Sequence, residues 1–225
     1  MKAKFISLRH EAGNAVSFFF DLPTSNYTWV PGQYLSLSFN ENDDSHDNKH
    51  WFTIASAPES KQIQITTRDT GSAFKTRLKD LRAGTEVFIS APEGDFTWRH
   101  TDLPIVFVAG GIGITPFHSM LESRFMNNKN TNAHLVYINR DENYVLKDKL
   151  EKYKTAMPSL KIDYQTGQVD NQLITNVVPN INQSLVYLSG PEPMVESVGA
   201  ELITSGLNEN QLIRDWFPGY NDTNF

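Results

Sequence analysis

The chain has 225 residues, room for one large domain or two of ordinary size. It has no cysteine, which excludes disulfides, thiolate zinc sites and an iron–sulfur cluster held by its own thiolates. A hydrophobic share of 39 per cent with 12 per cent aromatics supplies real cores and sets disorder aside. The formal charge of -6, with no basic run interleaved with aromatics, argues against nucleic acid as a partner.

Met1-Lys2-Ala3-Lys4-Phe5 leads into an alternating pattern and not into an apolar leader. No run approaches the roughly 18 apolar residues that span a bilayer, so the expectation is a soluble, cytoplasmic protein without a membrane segment of its own. Up to Pro92 the pattern is β. Residues 15–20, 34–39, 51–55, 63–67 and 86–89 are short, rich in aromatic and β-branched side chains, and bounded by turn residues such as Pro31-Gly32 and Ala83-Gly84. One short helix interrupts over 72–81, with Phe74, Leu78 and Leu81 at helical spacing. Many short strands and one helix predict a small antiparallel β-barrel.

Two stretches of this half carry chemical interest. His50-Trp51-Phe52-Thr53-Ile54-Ala55 offers an aromatic with a hydroxyl one residue on, suited to a flat ring and its polar edge, although ordinary barrel-core aromatics account for the same pattern. Arg68-Asp69-Thr70-Gly71-Ser72-Ala73-Phe74 runs from a strand through a glycine turn into a helix start, which suits an anion or a plain capped helix. His46 and His50 among the aspartates of loop 40–50 read as a solvated hairpin, because no metal-ligand spacing recurs elsewhere.

From Leu103 the period changes to alternating strands and helices. Residues 105–109 form a continuous apolar run, then Gly110-Gly111-Ile112-Gly113-Ile114 turns into a helix with Thr115 as N-cap and Pro116 at its first position. Strand, glycine turn and helix start suit a diphosphate, or a tight βα turn with no ligand, with Pro116 standing where the dinucleotide fingerprint has its third glycine. Strands at 133–138, 160–164 and 185–188 and helices at 144–153, 173–178 and beyond Met194 complete a parallel sheet covered on both faces. The boundary between halves falls near residues 97–102, giving domains 1–99 and 100–225.

In order, Pro31-Gly32-Gln33-Tyr34, His50-Trp51-Phe52-Thr53, Gly71-Ser72-Ala73-Phe74, Ala91-Pro92-Glu93-Gly94-Asp95-Phe96, Gly110 to Pro116 and Ser189-Gly190-Pro191-Glu192-Pro193-Met194 resemble the ferredoxin–NADP reductase superfamily over nearly the whole chain. The resemblance implies an FAD-binding barrel followed by an NAD(P)-binding α/β domain. It implies that Phe52 lies against the isoalloxazine and that Thr53 hydrogen-bonds near the reactive nitrogen. Ile65, Thr67, Arg68, Gly71, Ser72, Ala73 and Phe74 complete the flavin site. Gly110, Gly111, Gly113, Ile114, Thr115 and Pro116 hold the nicotinamide cofactor's pyrophosphate, while Ser189, Gly190, Pro191 and Met194 lie near the nicotinamide. The resemblance implies Thr53, Ser189 and Phe217 as the catalytic set, with Phe217 stacking on the flavin from the tail Trp216-Phe217-Pro218-Gly219-Tyr220, although packing of a terminal strand accounts for the same aromatics.

His50 departs from the usual flavin-phosphate arginine and resembles the ferric reductase and NADPH oxidase branch, with Arg68 as the alternative phosphate partner. Ser189 stands where the superfamily usually has cysteine. Near Asn139, Arg140 suits a 2′-phosphate and NADPH, whereas Asp141 suits a ribose hydroxyl and NADH. The expected activity is hydride transfer from NAD(P)H to FAD and electron delivery to an acceptor, a ferredoxin- or flavodoxin-type protein or a small molecule. The alternatives are a free flavin or ferric reductase and a non-catalytic flavin-holding electron-transfer subunit of a larger complex. No metal ligand set is expected.

Overall fold

The computed structural model describes residues 1–41 and 48–217, the side chain of Phe217 apart. Alternating apolar and polar residues in the first half build β1 (Lys2–His10), β2 (Ala15–Asp21), β3 (Tyr34–Ser38), β4 (Lys49–Thr53), β5 (Gln62–Arg68) and β6 (Glu86–Ile89), with one helix, α1 (Ala73–Lys79), between the last two strands. They form one antiparallel sheet in the order β4-β3-β6-β1-β2-β5. The sheet curls into a barrel, and the Ala55 N–H, just past β4, donates to Gln64 O of β5 at 2.8 Å. Phe18, Phe20, Leu35, Leu37, Ile63 and Ile65 fill the interior.

In the second half, β7 (Ile105–Gly110), α2 (Ile114–Met126), β8 (Ala133–Asn139), α3 (Lys147–Ala156), β9 (Leu160–Thr166), α4 (Asn171–Val177), β10 (Leu185–Pro191), α5 (Glu192–Thr204) and β11 (Leu212–Phe217) follow one another. The five strands are parallel in the order β11-β10-β7-β8-β9. Side chains alternate between two cores, as a strand's period of two requires. Phe107, Leu135 and Tyr187 pack on the face of α2 and α3; Val106, Val108, Val136 and Leu188 pack on the face of α5. The two-domain expectation of an antiparallel barrel followed by a parallel α/β sheet describes this architecture.

Local expectations needed correction at two helix starts. Helix α1 is confined to Ala73–Lys79, because the Ser72 hydroxyl caps it by accepting from the Lys75 N–H at 3.3 Å. Thr115 does not cap α2. Gly111–Gly113 already winds as a 3-10 turn, so the cap position falls on Gly113 and Thr115 donates its hydroxyl to Ile112 O at 3.1 Å. Pro116 becomes the third helical residue, where a backbone N–H still has no intrahelical acceptor.

The halves are joined by two motifs noted in the sequence. Phe96 leaves the barrel and enters the core beside β7, with ring centroids 5.7 Å from Phe117 and 5.4 Å from Tyr187. Gly32 has φ +102°, and a Cβ there would lie 2.0 Å from Phe96 O and 2.6 Å from Met120 Cε. Only glycine allows that approach. Among the described residues no helix is long and apolar enough to cross a membrane.

Candidate functional site

A cleft of about 690 Å³ opens at the carboxyl ends of the parallel strands. Its wall includes Gly110 and Gly111 at the end of β7, Asn139 and Arg140 at the end of β8, Gly167 past β9, Pro191 at the end of β10 and Met194 past it. Ligands of open α/β sheets bind at this edge, outside the strand ends. The glycines divide their duties. Gly111 alone among those of the turn has a positive φ, +52°. A Cβ on Gly113 would sit 2.3 Å from Ser189 O, and one on Gly110 would sit 2.3 Å from Met194 Sδ. A Cβ on Gly190 would lie 2.7 Å from Met194 Cε. Bare backbone thus lets the ends of β7 and β10 close on each other with Met194 between them.

Ser189 is fully buried in β10 and lies in register with Asp215 of β11. Its hydroxyl donates to Asp215 Oδ2 at 3.4 Å. Burial pushes the Asp215 carboxyl up to about 7, the Ser189 hydrogen bond pulls it down, and the charge of Asp95 adds to the rise. Sequence reasoning passed over Asp215. The available signal was the Arg214-Asp215 pair set between the apolar Leu212-Ile213 and Trp216-Phe217.

On the barrel side the pleat of β4 turns His50 and Phe52 toward Phe74, with centroids 4.2 Å and 6.0 Å away, and Thr53 toward the opposite face. Phe52, Thr53, Ile65, Thr67 and Phe74 are buried, while Gly71, Ser72 and Ala73 are exposed. Gly71 has φ +70° and open space around the position of a Cβ. Its amide is not bare, because it donates to Asp69 Oδ1 at 3.1 Å. Asp69 in turn accepts from Lys79 at 2.5 Å, and that bond holds its carboxyl below the usual range. Lys75 reaches back to Arg68 O at 2.6 Å.

Arg68 occupies the junction of the two domains. Its Nη1 donates to Asn14 Oδ1 at 3.0 Å and its Nη2 to Asn139 Oδ1 at 2.9 Å, while the buried Nε has no partner among the described residues. Asn139 passes the contact on, donating from Nδ2 to Asp141 Oδ1 at 2.8 Å and to Asn143 O at 3.1 Å. Asp141 also accepts from the Asn143 backbone and side-chain amides, both at 2.9 Å, and these bonds lower its pKa. Arg140 lines the cleft; Asp141 is not among the lining residues.

The structure therefore gathers Gly110, Gly111, Asn139, Arg140, Pro191 and Met194 on one cleft, with Gly113, Ser189 and Gly190 packed behind its β10 side. It gathers His50, Phe52 and Phe74 in one aromatic group. Ile114, Thr115 and Pro116 are buried in the first turn of α2. The backbone of Phe217 ends β11 opposite Pro191, but the stacking role read for its side chain, the tail 218–225 and His46 of the loop lie outside the described residues.

Residues 107–199 match the oxidoreductase NAD-binding domain family. The chain is similar to the 2-halobenzoate 1,2-dioxygenase electron transfer component of Burkholderia cepacia, 30% identical over 200 residues that make up 83% of this chain and 58% of the relative. The chain spans a little over half the length of the curated relatives it matches. Among solved structures, the flavohem-like FAD/NAD binding domain of nitric oxide dioxygenase from Vibrio cholerae superposes with a TM-score of 0.81 at 16% identity, over 96% of this chain and 98% of that one. Ferredoxin–NADP+ reductase from Plasmodium falciparum superposes with a TM-score of 0.78 at 14% identity, over 96% and 95%. The chain has the same two-domain fold as these structures, a barrel followed by a parallel α/β sheet, and the family match falls in its second half.

Proposed function

We propose that this chain is an NAD(P)H-dependent flavoprotein reductase, with residues 1–99 holding FAD and residues 100–225 holding the nicotinamide cofactor. The observation that carries this reading is the cleft of about 690 Å³ at four strand ends, walled by Gly110, Gly111 and Arg140, beside a six-stranded barrel of the same chain. The residues fit both groups. Open space over Gly71 and the partnerless buried Nε of Arg68 suit a flavin diphosphate, and the glycine backbone with Arg140 suits a dinucleotide. His50, held against Phe74, is the second candidate for the flavin phosphate.

FAD, when bound, would supply the redox chemistry, that of a hydride acceptor and a one- or two-electron donor. The protein's own part is placement. Thr53 offers a hydroxyl at the flavin's polar edge, Phe52 an apolar wall, and the Ser189–Asp215 pair a proton-bearing site beside the nicotinamide. Arg140 in the cleft wall, with Asp141 committed to its own loop, favours NADPH over NADH. The relatives named as dioxygenase electron transfer components support an acceptor that is itself a protein.

The test is anaerobic. Purified protein reconstituted with FAD is expected to be yellow and to bleach on addition of NADPH within the turnover range of about 1–1000 per second. A colourless protein after reconstitution, or a yellow one that neither NADPH nor NADH bleaches, overturns the reading.

A further inference from the structure

One face of α2 grips three consecutive backbone positions of the barrel. His118 Nδ1 lies 2.7 Å from Ala55 O, the Ser119 hydroxyl donates to Ser56 O at 2.7 Å, and the Ala57 N–H donates to Glu122 Oε2 at 2.7 Å. His118 and Ser119 are fully buried. The contacts close into a network. The Tyr153 hydroxyl of α3 lies 3.1 Å from His118 Nε2 and 3.3 Å from Glu122 Oε1, while Trp29 Nε1 donates to the same Ser56 carbonyl at 2.9 Å. With Nδ1 facing a carbonyl, the ring carries its proton there and Nε2 is left to accept from Tyr153. Burial keeps His118 below the usual histidine range, against the pull of Glu122 and Glu11 and with a small push from Lys149.

The two ends of this contact are not arbitrary. Helix α2 leaves the Gly111–Gly113 turn directly, and His118 stands on its fifth residue. Ala55 lies two residues beyond Thr53, and its own N–H is fixed to Gln64 O. A stiff helix thus connects the turn that walls the cleft to the strand that carries Thr53. Its bonds go to backbone, so they register the strand's position and not its side chains. Slippage would strain two buried hydrogen bonds and one part-buried one at once, and a buried polar group left unpaired is costly.

We propose that His118, Ser119 and Glu122 are positioning residues, a clamp by which α2 sets the separation between Thr53 and the Gly110–Gly113 turn. The proposal rests on the reductase reading, because the separation that matters is the one between the two cofactors. Reacting atoms must approach to about 3–3.5 Å, and a misplacement of about 1 Å costs about 100-fold in rate.

The experiment compares His118→Ala with His118→Asn, whose amide nitrogen falls near the place of Nδ1, and uses Ser119→Ala as a milder variant should His118→Ala not fold. Three quantities are read: the limiting rate of flavin reduction at saturating NADPH, the FAD dissociation constant, and amide exchange at Ala57 in FAD-free protein. His118→Ala is expected to lower the limiting rate about 10- to 100-fold with FAD affinity changed by no more than about threefold, and His118→Asn to recover most of the rate. Ala57 exchange should quicken in His118→Ala and in Glu122→Ala. A limiting rate per bound flavin equal to wild type, or a rate loss matched by FAD loss and not recovered by His118→Asn, overturns the clamp. If wild-type protein is not reduced at all, the reductase reading falls; unchanged Ala57 exchange in the FAD-free variants then overturns the clamp separately.

Discussion

Ser189 and Asp215 stand opposite each other on neighbouring parallel strands, with the serine hydroxyl 3.4 Å from Asp215 Oδ2. Burial raises the carboxyl from its ordinary 3.8 to about 7. A carboxyl whose folded pKa exceeds its unfolded value binds more protons when folded, so its favourable contribution is complete below about 4 and is lost as pH rises through about 7. Wild-type protein should therefore lose stability relative to Asp215→Asn across that window. Urea midpoints of both proteins at pH 4.5, 6 and 8 check it (about two points inside the window and one above). A constant difference at all three values would refute the shift.

Gly113 lies against the Ser189 carbonyl so closely that a Cβ would meet it at 2.3 Å. The partner is backbone, so it cannot swing aside. Gly113→Ala is expected to cost about 1–3 kcal/mol in chemical denaturation. It should also weaken nucleotide binding, measured by titration calorimetry with NADP+, because the turn must move away from β10.

Arg140 lines the cleft, whereas Asp141 spends both carboxylate oxygens on Asn139 and Asn143. A charge-assisted bond to a 2′-phosphate is worth about 1.5–3 kcal/mol, so Arg140→Ala should raise KM for NADPH about 10- to 100-fold. KM for NADH should change by less than about threefold, since NADH has no phosphate to lose. Steady-state kinetics with both nucleotides decides this, and equal losses for the two would remove Arg140 from phosphate recognition.

Arg68 and Asn139 bond across the two domains at 2.9 Å. A double-mutant cycle of Arg68→Ala and Asn139→Ala in FAD-free protein should show a coupling of about 0.5–3 kcal/mol. Zero coupling, together with a large loss of FAD affinity in Arg68→Ala, would make Arg68 a phosphate ligand and not a domain tie.

Much of the fold was legible because its signals are local. The apolar run 105–109, the glycines after it and the alternation at 15–20 each follow from side-chain period alone. The cap of α2 was misread because Thr115 has the right chemistry, while backbone winding through Gly111–Gly113 placed the helix start two residues earlier than a threonine cap requires. The turn at Gly71 suited an anion or a plain capped helix, and its sequence did not reveal that Asp69, two residues before, takes the Gly71 amide.

The sequence by itself determined a barrel followed by a parallel α/β sheet, the glycine turn at the end of β7, and the class of ligand that turn suits. These depend on residues within a few positions of one another. Only the tertiary structure decided that Asp215 shares a hydrogen bond with Ser189, that Arg68 reaches Asn139, and that His118 holds the Ala55 carbonyl. Those partners lie 26, 71 and 63 residues apart, and no periodicity links them. They meet because each polar group, once buried by the apolar pattern around it, must find a partner among whatever the packed domains bring within reach.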